Sequence, residues 1–211
     1  MKTYNITESV EFNIYPGTLG VCVSGGADSA LLLYFLLRYT TSTVHIFSLA
    51  SQEKWLRNTH ASINVVSKCA ELTGNYNFVH HITYDAVQTK ENLFVLPRQY
   101  IADDVISTMY TGVTKNPPFD VTAKFMLETL ENLERDPTIV RPVKTDKWYI
   151  PWTNLDKQDL HDIYEQHKLL DILFPITRSC EWLNHAWPDP GNGHCGKCWW
   201  CEERKWGFGR L

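Results

Sequence analysis

The chain has 211 residues, a formal net charge of -4 and 44% hydrophobic residues, values typical of one compact globular domain with a buried core. The acidic balance excludes a general electrostatic attraction to nucleic acid, and a charged fraction of 21% at this hydrophobic content excludes wholesale disorder. The first residues lack the apolar segment of a signal peptide and the longest apolar run, at 30–37, is too short to span a bilayer, so we expect a cytoplasmic protein.

In chain order, short β-favouring runs alternate with helical patterns. Residues 18–24 and 42–50 predict the first two strands, and the apolar segment between them predicts a helix. Residues 53–73 predict a long helix that stops at Gly74, and residues 77–85 predict a third strand. Further helices are expected at 98–110, near 120–135 and at 160–167, with a short strand at 110–114. The alternation implies an α/β fold, a parallel twisted sheet with helices on both faces.

The first strand-to-helix turn carries the segment Ser-Gly-Gly-Ala-Asp-Ser, at 24–29. Glycines beside a helix N-terminus bring backbone N–H groups close to a phosphate, and Ser24 and Ser29 add hydroxyl donors. Asp28 would repel a phosphate unless a Mg²⁺ lies between them. The alternative is an ordinary turn capped by Asp28 and Ser29. Turn chemistry alone does not require this combination of six residues at the first βα turn, which favours the phosphate site.

A cysteine cluster lies near the end of the sequence. Its members are Cys180, Cys195, Cys198 and Cys201. In a reducing compartment this spacing predicts a closed structural Zn²⁺ site with four thiolate ligands and no open position for catalysis. A disulfide pair or a redox Cys-x-x-Cys is the alternative, and His185 or His194 could replace one cysteine. Cys22 and Cys69 are interpreted as small core residues.

The motif at 24–29 resembles the PP-loop of the N-type ATP pyrophosphatases. Together with "HCGKCWWCEER" at 194–204 and "IPWTNLDKQDL" at 150–160, it makes the sequence similar to the QueC family, the 7-cyano-7-deazaguanine (preQ0) synthases. The resemblance implies an adenine nucleotide alpha hydrolase-like fold. It also implies a reaction that adenylates 7-carboxy-7-deazaguanine with ATP and Mg²⁺, forms the amide with ammonia and dehydrates it to the nitrile with a second ATP.

The resemblance also implies an organisation and a set of site residues. Residues 1–174 would form the ATP-binding domain and residues 175–211 the zinc element. The ATP contacts would be Ser24, Gly25, Gly26, Ala27, Asp28, Ser29, Ser48 and Leu49, with adenine beside the last two. Lys157 would reach the phosphates from a helix start, or be a solvated lysine. Arg98 would contact the substrate carboxylate, or pair with Asp103 or Glu91.

Asp156, beside Lys157, is interpreted as the capping partner of Thr153 in a Thr-x-x-Asp box rather than as a catalytic acid. The expected partners are a 7-deazapurine carboxylate and ammonia, with no membrane and no direct binding of nucleic acid. A homodimer is left open.

Three segments depart from the family pattern. "TKNPPFD" at 114–120 replaces a Tyr-Pro-Asp-Cys motif that helps to hold the deazaguanine, Gln99 replaces an Asn, and "ASQEKW" at 50–55 replaces a Tyr-Gly-Gln turn. A diverged ligase for a different acid is therefore one alternative. A non-enzymatic zinc ribbon that binds nucleic acid is another, and a sulfurtransferase that uses Cys22 or Cys69 as its reactive thiol is a third.

Overall fold

A computed structural model of the chain describes residues 1–51, 56–85, 92–125, 135–180 and 193–211. The strands in these ranges are β1 (Lys2–Asn5), β2 (Glu11–Ile14), β3 (Leu19–Cys22), β4 (Val44–Ser51), β5 (Phe78–Asp85), β6 (Thr108–Tyr110), β7 (Lys144–Thr145) and β8 (Trp148–Tyr149). The α-helices are α1 (Ala27–Tyr39), α2 (Leu56–Thr73), α3 (Val95–Ala102), α4 (Phe119–Phe125), α5 (Lys157–Gln166) and α6 (Trp199–Phe208).

The central sheet has six strands in the order β5-β4-β3-β6-β8-β7. All neighbouring pairs are parallel except β7 with β8, which pair antiparallel at one edge. In the centre, Val21 of β3 lies opposite Ile46 of β4 on one side and Tyr110 of β6 on the other. The predicted α/β fold with a mostly parallel sheet is confirmed.

Helices cover both faces of this sheet. Val21 and Ile46 point to the face that packs on α1, in the main hydrophobic core. Phe47 and Met109 point to the opposite face, where Tyr100 of α3 packs on Phe47 with ring centroids 5.3 Å apart. Because side chains alternate along each strand, a parallel sheet covered in this way needs apolar residues at successive positions, as the sequence of β3 shows.

Helix α1 is buried almost all round. Every residue of the apolar run 30–37 is less than 9% exposed, which a helix lying between a sheet, α2 and α5 requires. Among the described helices, none combines the length and the apolar character needed to cross a membrane.

The sequence did not predict the N-terminal hairpin of β1 and β2, whose strands are only four residues long. Two tyrosines of the central sheet hold this hairpin. The amide of Asn13 donates to the Tyr149 hydroxyl over 3.0 Å, and the Tyr110 hydroxyl donates to the Asn13 carbonyl over 3.0 Å. Burial raises the pKa of both hydroxyls, that of Tyr149 to about 12, so both groups stay neutral near pH 7.

The prediction of one helix at 98–110 and a strand at 110–114 was wrong in detail. The helix is α3, which ends at Ala102, and Asp104 then takes a left-handed conformation with φ of 53°. The β-favouring residues 108–110 instead pair with β3, which places the strand earlier than expected. The predicted helical residues at 53–55 and 126–134 lie outside the described residues.

Helix α6 crosses the start of α5 at Gly207. A Cβ at this glycine would overlap the Cβ of Lys157 and lie 2.9 Å from its carbonyl carbon. Gly207→Ala is therefore expected to lower the free energy of unfolding by about 1–3 kcal/mol, because α6 must move away from α5. Denaturant unfolding measures this change. The matched control is Lys205→Ala on an exposed face of α6, expected within about 0.5 kcal/mol of wild type; a Gly207→Ala protein as stable as wild type would contradict the close packing.

Candidate functional site

The segment 24–29 forms the turn between β3 and α1. Gly25 has φ of +85°, a left-handed conformation that favours glycine, and Gly26 is the N-cap of α1 in an extended conformation. Among the residues that the structure describes, no side chain caps this helix N-terminus. The alternative of a turn capped by Asp28 and Ser29 is therefore wrong, and the first-turn N–H groups of α1 are available to a ligand.

The two serines of the turn are hydrogen-bonded to each other and to its backbone. The Ser24 and Ser29 hydroxyl oxygens are 3.2 Å apart, and the Ser29 hydroxyl donates to the Gly26 carbonyl over 3.1 Å. The amide of Gly26 donates to the Ser24 hydroxyl over 3.3 Å. These contacts fix the shape of the turn and leave Ser24 exposed to an incoming ligand.

A cavity of about 320 Å³ opens at this turn, at the carboxyl ends of β3, β4 and β6. Ligands of open α/β sheets bind at this end of the strands, and the volume lies at the lower end of the range for small-molecule pockets. Apolar lining comes from Phe47, Leu49, Leu93, Phe94, Val113 and Trp200. Polar and charged lining comes from Ser24, Asp28, Ser29, Thr114, Arg135, Lys157, Arg178, Ser179 and Glu203.

Lys157 reaches the cavity from the first position of α5. Its ammonium group forms an ion pair with the Asp28 carboxylate, and its side chain is only 9% exposed. Lys157 lies at a helix start as expected, its burial and pairing exclude the solvated-lysine interpretation, and its role at the phosphates stays a prediction.

The start of α5 is fixed by a capping box that the sequence analysis placed wrongly. Asp156 is itself the N-cap: its carboxylate accepts from the amides of Gln158 and Asp159, over 2.9 Å and 3.2 Å. The Asp159 carboxylate in turn accepts from the Asp156 amide over 2.8 Å. The box therefore joins Asp156 to Asp159 rather than to Thr153, and it orients the next residue, Lys157.

Asp28 is held in place while one of its oxygens stays unpaired. Its backbone carbonyl accepts from the Trp152 indole N–H over 3.3 Å, which fixes the first turn of α1 against the core. Of the two carboxylate oxygens, Oδ2 pairs with Lys157, whereas Oδ1 is buried without a hydrogen-bond partner among the described residues. A buried carboxylate oxygen without a partner is costly unless a ligand satisfies it.

Two charged residues that the sequence analysis missed complete the cavity wall. Glu203 of α6 is 2% exposed, and its Oε1 accepts from Arg135 over 2.6 Å. Its Oε2 lies 4.0 Å from Lys157 Nζ. Arg135 also donates to the Thr114 carbonyl over 3.1 Å, which ties it to the loop after β6. For Glu203 the only sequence signal was its place two residues after Cys201, and Arg135 carried none.

Arg178 links the turn to the cysteine cluster. Its amide donates to the Gly25 carbonyl over 2.8 Å, and its Nε donates to the Gly193 carbonyl over 2.7 Å. Since Arg178 precedes Cys180 by two residues, the segment that carries the first cysteine is bonded directly to the turn. The charged residues that line the cavity are two acids, Asp28 and Glu203, and three bases, Lys157, Arg135 and Arg178.

Ser48 and Leu49 lie at the end of β4, beside the turn. Leu49 lines the cavity. The Ser48 hydroxyl donates to the Val23 carbonyl over 2.7 Å and lies 2.9 Å from His80 Nε2, so this side chain is used inside the sheet. Any contact of Ser48 with a ligand would come from its backbone.

Arg98 is not brought to the site. It is exposed on α3, and its guanidinium carbon lies 5.9 Å from the centroid of the Phe94 ring. It is not among the residues that line the cavity, so the expected contact with a substrate carboxylate is not supported by its position. One of the alternative ion-pair partners, Glu91, lies outside the described residues.

The four cysteines of the cluster converge, with all their sulfurs within 4.8 Å of one another. The Cys195 and Cys201 sulfurs are 3.8 Å apart, and the Cys180 and Cys198 sulfurs are 3.9 Å apart. A tetrahedron with Zn–S bonds of about 2.3 Å has edges of about 3.8 Å. The arrangement can therefore hold one Zn²⁺, and the predicted convergence of these cysteines is confirmed.

Two backbone amides donate hydrogen bonds to a sulfur of this cluster, which favours the negatively charged thiolate. The amides of Lys197 and Cys198 donate to Cys195 Sγ, over 3.4 Å and 3.2 Å. Without a metal, the neighbouring thiol of Cys180 is the main cause that raises the pKa of Cys201, to about 12. A cation is needed for all four sulfurs to ionise together.

Two residues beside the cluster have structural roles. Arg204 is 1% exposed: its guanidinium lies 3.7 Å from the Phe174 ring centroid and donates to the Thr177 hydroxyl over 2.8 Å. It is therefore a buried packing residue of α6. His194 Nδ1 lies 3.8 Å from Cys201 Sγ, and burial lowers the pKa of His194 to about 4, so its ring is neutral near pH 7. His185 lies outside the described residues.

No protein-family model matches the sequence, and no curated protein matches it. Solved structures similar to the chain include two synthetases. The NH3-dependent NAD synthetase of Campylobacter jejuni subsp. jejuni, in complex with a nitrate ion, is 16% identical over 74% of this chain, with a TM-score of 0.43. The NMN synthetase of Francisella tularensis is 13% identical over 92% of this chain and 77% of its own, with a TM-score of 0.47. The chain spans 66% of the NAD synthetase, slightly under two thirds of its length.

Proposed function

We propose that the chain is an ATP-dependent synthase that adenylates a carboxylic acid and releases pyrophosphate, as the PP-loop resemblance implies. The observation that carries the proposal is the shared cavity. The uncapped N-terminus of α1 lies beside it, and Asp28 and Lys157 are among the residues that line it. Together they offer N–H donors, a carboxylate for a cation and a positive charge, which are the groups a triphosphate needs.

The donor set fits Mg²⁺ on the nucleotide. Asp28 Oδ1 is a hard oxygen ligand that no described residue satisfies, and Ser24 and Ser29 supply hydroxyls beside it. Bound there with ATP, Mg²⁺ would neutralise part of the phosphate charge. The three cationic side chains of the cavity would offset the rest.

In the proposed reaction a carboxylate oxygen of the acid attacks the α-phosphorus of ATP, and the bond to the bridging oxygen breaks. The electron pair leaves with pyrophosphate, so negative charge grows on the leaving group. Lys157 and the first-turn amides of α1 stabilise this charge because they are fixed before the reaction starts. Ammonia then attacks the acyl carbon, the C–O bond to AMP breaks with its electron pair leaving on AMP, and the nitrogen loses a proton to solvent, which gives the carboxamide.

The apolar part of the cavity suits a flat base. Phe47 and Leu49 lie on β4, and Leu93 and Phe94 line the same cavity from the segment before α3. For the acid we propose 7-carboxy-7-deazaguanine, with the amide dehydrated to preQ0 by a second ATP. The support is the QueC resemblance at 150–160 and 194–204 and an aromatic side chain, Trp200, in the cavity wall. The departure at 114–120 keeps a different acid as the second candidate.

The cysteine cluster is proposed to hold one structural Zn²⁺. Four thiolates close the coordination sphere, so the ion would hold Cys180 and the start of α6 in place rather than bind substrate. The division at 174/175, the cytoplasmic location and a homodimer stay predictions.

A sulfurtransferase function has less support than adenylation followed by amide formation. It would need a reactive thiol outside the cluster. The apolar surroundings of Cys22 raise its pKa to about 12, and burial raises the pKa of Cys69 as well. Neither thiol ionises near pH 7, so neither is an effective nucleophile.

The proposal is tested by pyrophosphate release from ATP, Mg²⁺ and a panel of acids, with and without ammonia. We expect release only when an accepted acid is present, with 7-carboxy-7-deazaguanine foremost, and an amide product only with ammonia. AMP must appear in the same amount as pyrophosphate. Phosphate and ADP in place of AMP and pyrophosphate would contradict adenylation, and release with another acid alone would identify the second candidate.

A further inference from the structure

We propose that Glu203 is a positioning residue that holds Lys157 at the cavity wall and so makes the ATP site depend on the cysteine cluster. This inference rests on the proposed function. Glu203 is the carboxylate of α6 that reaches the cavity, and it is 2% exposed. Because a buried anion is costly unless it is paired, the contacts of Glu203 must explain why a carboxylate is kept at this position.

Lys157 lies between two carboxylates that come from different parts of the chain. Asp28, from the turn after β3, pairs with it on the nucleotide side. Glu203 Oε2 lies 4.0 Å from the same ammonium. When Asp28 is engaged by Mg²⁺ on a nucleotide, Lys157 loses part of its pairing with that carboxylate, and Glu203 remains as the anion that fixes the ammonium near the phosphates.

Arg135 sets the position of Glu203. It donates to Glu203 Oε1 over 2.6 Å and to the Thr114 carbonyl over 3.1 Å. One oxygen of Glu203 is thus bound to Arg135, which is itself bonded to the loop after β6, and the other oxygen lies near Lys157. This division of the two oxygens keeps the carboxylate from rotating away from the ammonium.

The backbone of α6 brings Glu203 to this place. Cys198 is the N-cap of α6 and Cys201 lies in its first turn, so two of the four cysteines fix the helix that carries Glu203. One turn later, Gly207 allows α6 to approach the backbone of Lys157 directly. Since Glu203 and Gly207 are four residues apart, they lie on the same face of the helix, against the start of α5.

The test compares Glu203→Gln, Glu203→Asp and the control Glu202→Gln in the full-length zinc-loaded protein. Glu202 is the neighbouring acid of α6 and does not line the cavity. We expect Glu203→Gln to lower kcat for pyrophosphate release by about 10–100-fold with the KM for ATP changed by less than about threefold, because positioning acts in the transition state. Glu203→Asp should recover part of kcat, and Glu202→Gln should match wild type.

A purely structural role predicts a different result. In that case Glu203→Gln lowers the melting temperature or the zinc content, and kcat per folded, zinc-loaded molecule stays at the wild-type value. Wild-type kcat and KM in Glu203→Gln, or an equal loss in Glu202→Gln, would overturn the inference.

A second measurement does not depend on ATP turnover. The rate at which acetic anhydride modifies Lys157 is followed by mass spectrometry, with exposed Lys168 as the internal reference. We expect Glu203→Gln to raise the relative rate at Lys157 at least threefold, because the ammonium is held less firmly against the wall, and Glu202→Gln to leave it unchanged. An unchanged rate in Glu203→Gln would overturn the inference, even for a protein that releases no pyrophosphate.

Discussion

Lys157→Met is expected to lower kcat for pyrophosphate release by about 10²–10⁴-fold, or about 3–5 kcal/mol of transition-state stabilisation. The lysine is the cation that pairs with Asp28, and its ammonium faces the cavity from the fixed start of α5. Methionine keeps the unbranched stem beside Gly207 and removes only the charge. Steady-state release of pyrophosphate with a saturating acid measures the effect.

The loss of charge must be separated from a loss of fold. Lys157→Met leaves the partly buried Asp28 carboxylate without its cation, which costs stability by itself. The double variant Asp28→Asn/Lys157→Met removes both charges, so we expect it to unfold closer to wild type and still to be inactive. Lys168→Met, an exposed lysine just after α5, should keep wild-type turnover. A Lys157→Met protein with wild-type kcat and KM would show that the ammonium does not act on ATP.

Cys198→Ser is expected to lose the metal, from one Zn²⁺ per chain in wild type to less than about a tenth of that occupancy. Cys198 is the N-cap of α6, and serine is a favourable N-cap residue, so the helix start itself tolerates the change. The loss should therefore follow from the missing sulfur. Elemental analysis of protein purified without chelator measures it.

Turnover should fall together with the metal, because Cys180 lies two residues after Arg178 and Cys201 two residues before Glu203. Both of these side chains line the cavity. The indole of the buried Trp199, next to Cys198, should become exposed, which tryptophan fluorescence detects. Cys22→Ser serves as the control for metal content and should keep one Zn²⁺. Full occupancy in Cys198→Ser, or no zinc in the wild-type protein, would refute the assignment of this cluster.

Local patterns in the sequence predicted the features that depend on neighbours in the chain. The turn at 24–29 needs a strand, two glycines and a helix start, all within a few residues. The cysteine spacing likewise limits where four sulfurs can meet. Lys157 was predicted at a helix start because it closely follows a strand-like segment at 148–152 and lies in the family-like segment at 150–160.

The pairings within the cavity wall could not be read in the same way. Glu203 and Arg135 meet across 68 positions of the sequence, and no local pattern pairs the two residues. Arg98 was predicted from the family resemblance, and it lies exposed on α3, away from the residues that line the cavity. Which charged residues meet depends on how α6 packs on α5. The two helices can pack closely because Gly207 has no Cβ, and a glycine in the sequence does not indicate which residue it will contact.

The N-terminal hairpin has a consequence for the order in which a newly made chain can fold. Its bonding partners Tyr110 and Tyr149 follow Tyr15 and Asn13 by 95 and 136 positions. A hairpin of two short strands is marginal in water by itself. During synthesis the hairpin residues are therefore made well before these two partners, and their docking joins segments that lie far apart in the sequence. Contacts this distant in sequence slow folding, so the hairpin is expected to be among the last parts of the protein to become ordered.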